Sequence, residues 1–439
     1  MRKAIWRYGI PGITGRLPVL LVLLAFVAAV LHAGNLLYLA HAFGCSPLAL
    51  RCDRSFGPFA APDTITYVRV AEEILSGGVF GASYIERTPG YPLLLSASMA
   101  LTGMPTPALW IGPLLAGLAA AAIAWMAFRM TGHPGPAVAA GIAFCCWPNA
   151  YQLSPLLLTD AAHGFAAVAA LAATLRWRDS ERVSAAAFAT GLWLFTELLR
   201  LTFLWVPIAL PLLLFKRHAS PFYVRCSLVL WTLTFLPPCL VIGSNWLRYD
   251  VAVPSAIPAV NLACYSVPRL REEMGQGSFT ALRKECKERY RHLDYAERVP
   301  TQLADARRFL RAHPGPAAAS FANEIATQLT SRLRPYYHRY LAPLYMGWRF
   351  PGRWFLGLFW LCGAFGLVLL LRSAPHEAAF LALAFIAVML SAATSHLVEG
   401  RLRFPLDLLF LPVVAALLSP RRLLVGPRWR SVPANGRAG

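Results

Sequence analysis

The sequence predicts an all-α protein, a polytopic transmembrane helical bundle of about 10 to 11 spans. Of its 439 residues, 57% are hydrophobic and only 14% are charged. Apolar runs of about 20 residues, the length that crosses a bilayer, recur along the chain. This pattern excludes a large water-soluble core. The net charge of +20 does not indicate nucleic-acid binding, because most Lys and Arg lie at the ends of apolar runs, where they set membrane orientation.

The first apolar run, residues 17–42, follows a basic N-terminal segment. It is longer than the roughly 7 to 15 residues of a signal-peptide core, so we interpret it as an uncleaved span with a cytoplasmic N-terminus. A first external loop follows, residues 43–90, with Cys45 and Cys52 near its start. An oxidising compartment would allow these two cysteines to form a disulfide. The sequence alone leaves that pairing open.

Nine further apolar segments bring the count of spans to ten. They are 108–130, 135–151, 156–175, 184–199, 201–215, 224–244, 353–371, 378–395 and 404–418. Residues 89–104 are apolar but short and interrupted by Pro and Gly, which is typical of a re-entrant or interfacial helix. If that segment does not cross, every short basic cluster lies on the side of the N-terminus, as the positive-inside rule requires.

This topology divides the chain into four parts. They are an N-terminal transmembrane module (1–247), a long external helical loop (248–350), C-terminal transmembrane helices (351–420) and a basic cytoplasmic tail (421–439). Ionisable residues from five regions then fall at the outer face: Asp63, Glu86 and Arg87, Asp160, Arg200, Arg248, and Glu399, Arg401 and Arg403. Each arginine alone could extend to the interface. Together they predict a shared polar cavity, because charges at membrane depth are costly.

The first external loop predicts an amphipathic helix along the membrane surface. Apolar residues recur at Ile65, Val68, Ala71 and Leu75, before the Gly77-Gly78 pair that ends the helix. Asp63 at its start is either a helix cap or a functional acid. Tyr67, one turn later, is either part of a pocket wall or an interfacial anchor.

The turn Arg87-Thr88-Pro89-Gly90-Tyr91-Pro92 returns the chain to the membrane. Each proline biases the residue before it away from helical conformation, which holds Arg87 at the interface. A guanidinium fixed there can bind phosphate oxygens through paired hydrogen bonds.

These residues resemble motifs of the GT-C membrane glycosyltransferases, especially the group related to the protein O-mannosyltransferases and the lipid A aminoarabinose transferase. Asp63, Tyr67 and the following turn are similar to the family's first external loop. Further similarities, in chain order, are Ser154-Pro155 with Thr159-Asp160, Glu197-Leu198-Leu199-Arg200, Asn245-Trp246-Leu247-Arg248-Tyr249, Leu310-Arg311-Ala312-His313-Pro314 and residues 399–405. Thr64 stands where the family often has a second acid.

The resemblance implies a polyprenyl-phosphate-linked sugar donor and an envelope lipid, glycan or protein acceptor. It also implies transfer at the outer face of the cytoplasmic membrane, and the charge pattern described above makes both termini cytoplasmic. Inverting transfer requires one general base, for which Asp63 is the candidate, while Asp160 orients the sugar or an arginine. The expected donor-phosphate and substrate-binding residues are Tyr67, Arg87, Arg200, Arg248, Glu399, Arg401 and Arg403. No metal ligand is assigned, and a role for a divalent cation stays open.

Two other classes of protein stay open. A transporter or lipid flippase is expected to show internal repeats and helices broken at mid-depth, and the sequence shows no clear repeat between its halves. A non-catalytic subunit of an envelope-assembly complex is the other alternative, and it predicts that the acid at position 63 is inert.

Overall fold

The computed structural model describes residues 16–46, 50–51, 56–61, 63–200, 205–216, 219–330, 353–393 and 403–419. This part of the chain is helical and contains no strand; one isolated bridge pairs Ser46 with Arg51. The helices of the first half are α1 Leu17–Ala42, α2 Thr64–Gly77, α3 Gly90–Thr102, α4 Ile111–Thr131, α5 Pro134–Cys145, α6 Pro148–Leu153, α7 Thr159–Ser180 and α8 Val183–Leu199. Those that follow are α9 Val206–Leu214, α10 Pro221–Leu233, α11 Leu236–Tyr249, α12 Ile257–Asn261, α13 Val267–Glu273, α14 Phe279–Arg289, α15 Tyr295–Ala312, α16 Pro314–Thr330, α17 Arg353–Ser373, α18 Pro375–Ala393 and α19 Phe404–Ala416.

Five helical stretches in the described ranges are long and apolar enough to cross a membrane. They are Leu17–Ala42, Thr106–Thr131, Pro221–Tyr249, Trp354–Ser373 and Pro375–Ala393. The shorter apolar helices include Val183–Leu199 and Phe404–Ala416. An all-helical protein of membrane type is therefore confirmed, whereas the predicted number of ten to eleven spans stays a prediction.

Helix α7 forms the centre of the bundle. Every residue from Thr159 to Leu175 is buried, and the helix packs against α4, α8, α9 and α19. A helix that is buried on all sides lies inside a larger assembly of helices. Its sequence is rich in alanine, and small side chains allow neighbouring helices to approach closely. The polar residues Asp160 and His163 at its first turns are consequently fully enclosed by protein.

Two predicted apolar segments differ from a single straight span. The segment at 135–151 is divided into α5 and α6, because Pro148 starts a new helix after the break at Cys146 and Trp147. The segment at 89–104 contains α3, which has 13 residues. At about 1.5 Å per residue it is about 20 Å long, shorter than the hydrocarbon core of roughly 30 Å.

Helix α2 ends at Gly77, where the sequence predicts its end, and its predicted apolar residues are only partly covered by protein. Val68 and Ala71 are buried, whereas Ile65 is 71% exposed and Leu75 is 46% exposed. Tyr67 and Ile74 are also buried, and α3 packs against α2. The prediction that the apolar face of α2 lies along the membrane surface stays a prediction. The Tyr67 ring is directed into the protein, where it packs on Tyr91 of α3.

Charged residues from four helical regions meet at the C-terminal end of α7. The carboxylate of Glu377 accepts hydrogen bonds from Arg178 at 2.7 Å and Arg129 at 3.4 Å. Arg129 also donates to both oxygens of Asp179, at 2.7 and 3.0 Å. Lys216 forms an ion pair with Glu181 next to this group. Arg129, Arg178 and Lys216, which the sequence assigns to one side of the membrane, thus lie at one end of the bundle.

The described part of the long loop between α11 and α17, residues 250–330, contains five helices, α12 to α16, and a π-helical turn at Leu262–Ser266. A disulfide joins Cys264 in that turn to Cys286 in α14, a pairing that the sequence did not predict. Cys45 is also disulfide-bonded, while its predicted partner Cys52 lies outside the described residues. Disulfides are typical of oxidising compartments.

Candidate functional site

The first half of the candidate site is an ion pair within the first loop. Arg87 Nη2 lies 3.0 Å from Asp63 Oδ1, and Arg87 Nε donates to the hydroxyl of Thr66 at 2.8 Å. The guanidinium carbon also lies 5.0 Å from the centre of the Tyr67 ring. Asp63 occupies the cap position of α2, but its side chain makes no capping hydrogen bond. The carboxylate is therefore directed toward Arg87 rather than toward the helix terminus.

The proline turn that follows Arg87 is seated on the C-terminal end of α8. Thr88 donates its hydroxyl hydrogen to the carbonyl of Leu199 at 2.7 Å, which satisfies one of the carbonyls left unpaired at a helix end. A Cβ atom at Gly90 would lie 2.5 Å from the carbonyl carbon of Leu198. Only glycine permits this approach of two backbones. The turn therefore fixes Arg87 relative to the residue that follows α8, which is Arg200.

The second half of the site is another ion pair. Arg200, directly after α8, donates from Nη1 to Asp160 Oδ1 in the first turn of α7. The Asp160 side chain is fully buried, whereas the Arg200 side chain is 21% exposed. In the pair between Asp63 and Arg87 the exposure is reversed, because the acid is 36% exposed and the arginine 14%. The pair of Asp63 and Arg87 thus presents mainly its carboxylate to the surroundings, whereas the pair of Asp160 and Arg200 presents its guanidinium.

A hydrogen bond between side chains also connects the two halves. The hydroxyl of Tyr67 lies 3.2 Å from the hydroxyl of Thr159, the residue before Asp160. The Tyr67 ring also packs edge-to-face on Tyr91, with ring centres 5.4 Å apart. Asp63, Arg87, Asp160 and Arg200, with Tyr67 and Thr159 between them, are called the paired-charge site below.

Thr64 secures the start of α2 to the segment before α7. Its hydroxyl accepts a hydrogen bond from the backbone N–H of Ala61 at 2.8 Å and donates to the carbonyl of Leu157 at 3.2 Å. Leu157 N–H donates in turn to the carbonyl of Phe59 at 2.8 Å. These bonds hold the first loop beside the N-terminus of α7. They explain how a threonine at this position positions the neighbouring acid, Asp63.

Arg248 lies at the end of α11 and is exposed. It donates to the carbonyl of Gly81 in the first loop, and its guanidinium carbon lies 5.8 Å from the Tyr249 ring centre. These contacts connect α11 to the first loop at a different point from the paired-charge site. A role for Arg248 in substrate binding stays a prediction.

Arg403 precedes α19 and is fully buried. It donates from Nε to Asp407 at 2.8 Å and from Nη1 to the carbonyl of Gln328. The next residue, Phe404, packs on the ring of Phe165 in α7, with centres 5.9 Å apart. Arg403 therefore joins α16 and α19 near the first turns of α7, and its phosphate-binding role stays a prediction. Glu399 and Arg401, the two other predicted members of this group, lie outside the described residues.

Five of the predicted site residues are thus brought together, namely Asp63, Tyr67, Arg87, Asp160 and Arg200. Sequence reasoning missed Thr66 and Thr159 as polar members of the site and Thr88 as its anchor on α8. Thr66 lies three residues after Asp63, on the same side of α2, so helical spacing was the signal available for it. In the described ranges, no group of three or more His, Cys, Asp and Glu side chains could hold a metal ion.

The paired-charge site contains a group that can accept a proton next to groups that can bind an anion. The more exposed carboxylate can accept a proton from a hydroxyl group. The two guanidinium groups can donate several hydrogen bonds to a phosphate. No protein-family model matches this chain, and no curated protein matches it.

Proposed function

We propose that this chain is an integral-membrane glycosyltransferase of the GT-C type. It transfers a sugar from a polyprenyl-phosphate-linked donor to an envelope lipid, glycan or protein acceptor at the outer face of the cytoplasmic membrane. The observation that carries the proposal is the opposite exposure of the two ion pairs in the paired-charge site. Asp63 presents its carboxylate, whereas Arg200 presents its guanidinium. The hydrogen bonds of Tyr67 with Thr159 and of Thr88 with Leu199 join the segments that bear the two pairs.

The reaction proposed is a single displacement. The acceptor hydroxyl oxygen attacks the anomeric carbon of the donor sugar, and Asp63 takes the hydroxyl proton as the new bond forms. The bond between the anomeric carbon and the phosphate oxygen breaks at the same time, so the configuration inverts. Arg87 and Arg200 stabilise the negative charge on the departing polyprenyl phosphate. Asp160 holds Arg200 in place from within the protein.

We propose ten spans, with residues 89–104 in a helix that does not cross. Two observations support this topology. Arg129, Arg178 and Lys216, which it assigns to the cytoplasmic side, lie at one end of α7, whereas Asp160 and Arg200 lie at the other. The disulfide of Cys264 and Cys286 lies in the loop that it assigns to the oxidising outer side.

The test is sugar transfer from radiolabelled polyprenyl-phosphate sugars to envelope components. Membranes containing the native chain, Asp63→Asn or Glu72→Gln are compared, since Glu72 is an exposed acid on the same helix. The native chain and Glu72→Gln are expected to transfer label equally. Asp63→Asn is expected to be at least about 100-fold slower, the usual contribution of a general base.

Each of the other outcomes has a defined meaning. If Asp63→Asn transfers as fast as the native chain, Asp63 is not the base. If the native chain moves donor across the membrane without transferring label, it is a lipid transporter, and the enzyme proposal is wrong. If it neither transfers nor moves any donor, the chain acts as a non-catalytic subunit.

A further inference from the structure

Two tyrosines attach the long loop to the first loop beside Arg87. The hydroxyl of Tyr295, the first residue of α15, donates to Glu86 Oε1 at 2.8 Å. The hydroxyl of Tyr249, the last residue of α11, donates to the hydroxyl of Ser83. The two rings pack edge-to-face with centres 5.1 Å apart. Two tyrosine hydroxyls therefore bind the first loop, one at Ser83 and one three residues later at Glu86.

Glu86 is held from several sides. Its second oxygen accepts a hydrogen bond from Arg69 of α2 at 3.3 Å. Its carbonyl accepts one from Arg87 Nη1 at 3.1 Å. The preceding carbonyl, that of Ile85, accepts hydrogen bonds from Ala256 N–H at 2.7 Å and from the hydroxyl of Ser255 at 3.2 Å. The backbone just before Arg87, at Ile85, is thus hydrogen-bonded to residues of the long loop.

The tyrosine at this junction keeps its proton. Burial, together with the hydrogen bond to Glu86 and the negative charge of that carboxylate, raises the pKa of Tyr295 above its ordinary value of about 10. The hydroxyl therefore remains a donor throughout the physiological pH range. Arg298, one turn later, lies with its guanidinium carbon 4.5 Å from the Tyr295 ring centre, which keeps the ring in place.

The contacts form one connected path. It leads from α15 through the Tyr295 hydroxyl to the Glu86 carboxylate, through the Glu86 carbonyl to the Arg87 guanidinium, and from there to Asp63. Tyr249 belongs to the same loop junction, but its partner Ser83 makes no described contact with Arg87. The direction of the Arg87 side chain depends on where the Glu86 backbone lies, because that carbonyl is one of its hydrogen-bond acceptors.

We propose that Tyr295 and Glu86 are positioning residues that hold Arg87 in the orientation that binds the donor phosphate. The long external loop is then part of the donor site and not a separate cover over it. This inference rests on the proposed function, since it assigns to Arg87 the binding of a polyprenyl phosphate. It adds two residues, from regions 209 positions apart, that the resemblance to known transferases does not include.

The test compares Tyr295→Phe with Tyr249→Phe in the full chain. Each variant loses one phenolic hydroxyl from the same aromatic pair. We expect Tyr295→Phe to raise the KM for the polyprenyl-phosphate sugar about tenfold with little change in kcat, which is the effect of losing a hydrogen bond to a charged group that supports binding throughout the reaction. Tyr249→Phe should keep the native KM, and both variants should unfold at the same temperature.

A conservative variant separates positioning from simple loss of structure. Glu86→Gln keeps an oxygen that accepts from Tyr295, so its KM should stay nearer the native value than that of Glu86→Ala. Equal KM values for Tyr295→Phe and Tyr249→Phe would overturn the inference. So would equal values for Glu86→Gln and Glu86→Ala.

Binding of polyprenyl phosphate alone keeps the inference distinct from the proposed function. It is measured by titration of the native chain and the two tyrosine variants in detergent. A native chain that transfers no sugar refutes the proposed function. The inference about Arg87 still stands if Tyr295→Phe alone weakens binding about tenfold, and it fails if the three proteins bind polyprenyl phosphate equally or not at all.

Discussion

Arg200 forms an ion pair with a carboxylate, that of Asp160, which has no exposed surface. Removing one member of a buried pair leaves the other without its counter-charge. We therefore expect Asp160→Leu to lower the free energy of unfolding by about 3 kcal/mol. Thermal unfolding of the purified chain measures this change.

The double variant Asp160→Leu with Arg200→Met serves as the control. Replacing both charges by apolar groups removes the uncompensated charge, so this variant should be more stable than Asp160→Leu alone. If the two proteins unfold at the same temperature, the ion pair does not determine the stability of this region.

The close contact between Gly90 and the end of α8 predicts that adding one methyl group at position 90 lowers the stability of the protein. A Cβ at Gly90 would overlap the backbone of Leu198, which cannot move aside as a side chain can. Gly90→Ala should destabilise the protein by about 1 to 3 kcal/mol, the usual range for overpacking. Gly77→Ala, at a position with no heavy atom within 4 Å of its new Cβ, is the matched control and should leave the unfolding temperature unchanged.

Glu197 is a fully buried carboxyl group, and neither of its oxygens has a hydrogen-bond partner in the described ranges. An unpaired buried polar group costs about 1 to 3 kcal/mol, so Glu197→Leu should raise the free energy of unfolding by that amount. Glu377→Leu should do the opposite, because Glu377 is also buried but accepts hydrogen bonds from two arginines. Thermal unfolding of the two variants decides the matter, and a lower unfolding temperature for Glu197→Leu contradicts the prediction.

The disulfide between Cys264 and Cys286 is expected to stabilise the long loop. It closes a chain segment with a sequence separation of 22 residues, for which the loss of chain entropy corresponds to about 3 kcal/mol. Cys264→Ser should therefore increase cleavage within α12 to α15 by an added protease. Cys239→Ser, which removes an exposed free thiol, should not. Equal cleavage of both variants would show that packing alone holds this loop together.

Local sequence features predicted the first loop well. Turn and helix signals place Asp63, Tyr67 and Arg87 close together, because all three lie within one short segment whose glycines and prolines restrict its path. For Asp160 the sequence predicted a location at the same membrane face as Arg200 and a role in orienting the sugar or an arginine. It did not identify Arg200 as the partner, since a hydrophobic run indicates where a helix ends but not which neighbour it packs against.

Contacts between distant segments could not be read from the sequence. Tyr295 and Glu86 are 209 residues apart, and no sequence pattern at either residue indicates that the other is its partner. The protein-covered side of α2 could not be predicted for a similar reason. Apolar spacing identifies a helical stripe, but the position of α3 determines which side of that stripe is covered.

The ion pairs of Glu377 with Arg129 and Arg178 hold the helices around one end of α7 together more firmly than those around the other end. Asp160 and Arg178 are about 27 Å apart along the helix axis at 1.5 Å per residue. At the Arg178 end, side chains of α4, α7 and α18 are bound to one another by charge, so separating these helices there requires several ion pairs to break together. At the Asp160 end, the ion pair of Asp160 with Arg200 joins α7 to the residue after α8, so we expect helices to part more readily there and to pivot about the Arg178 end. If the donor is lipid-linked, as proposed, we expect its long chain to enter sideways from the bilayer near Asp160 and to leave on the same side.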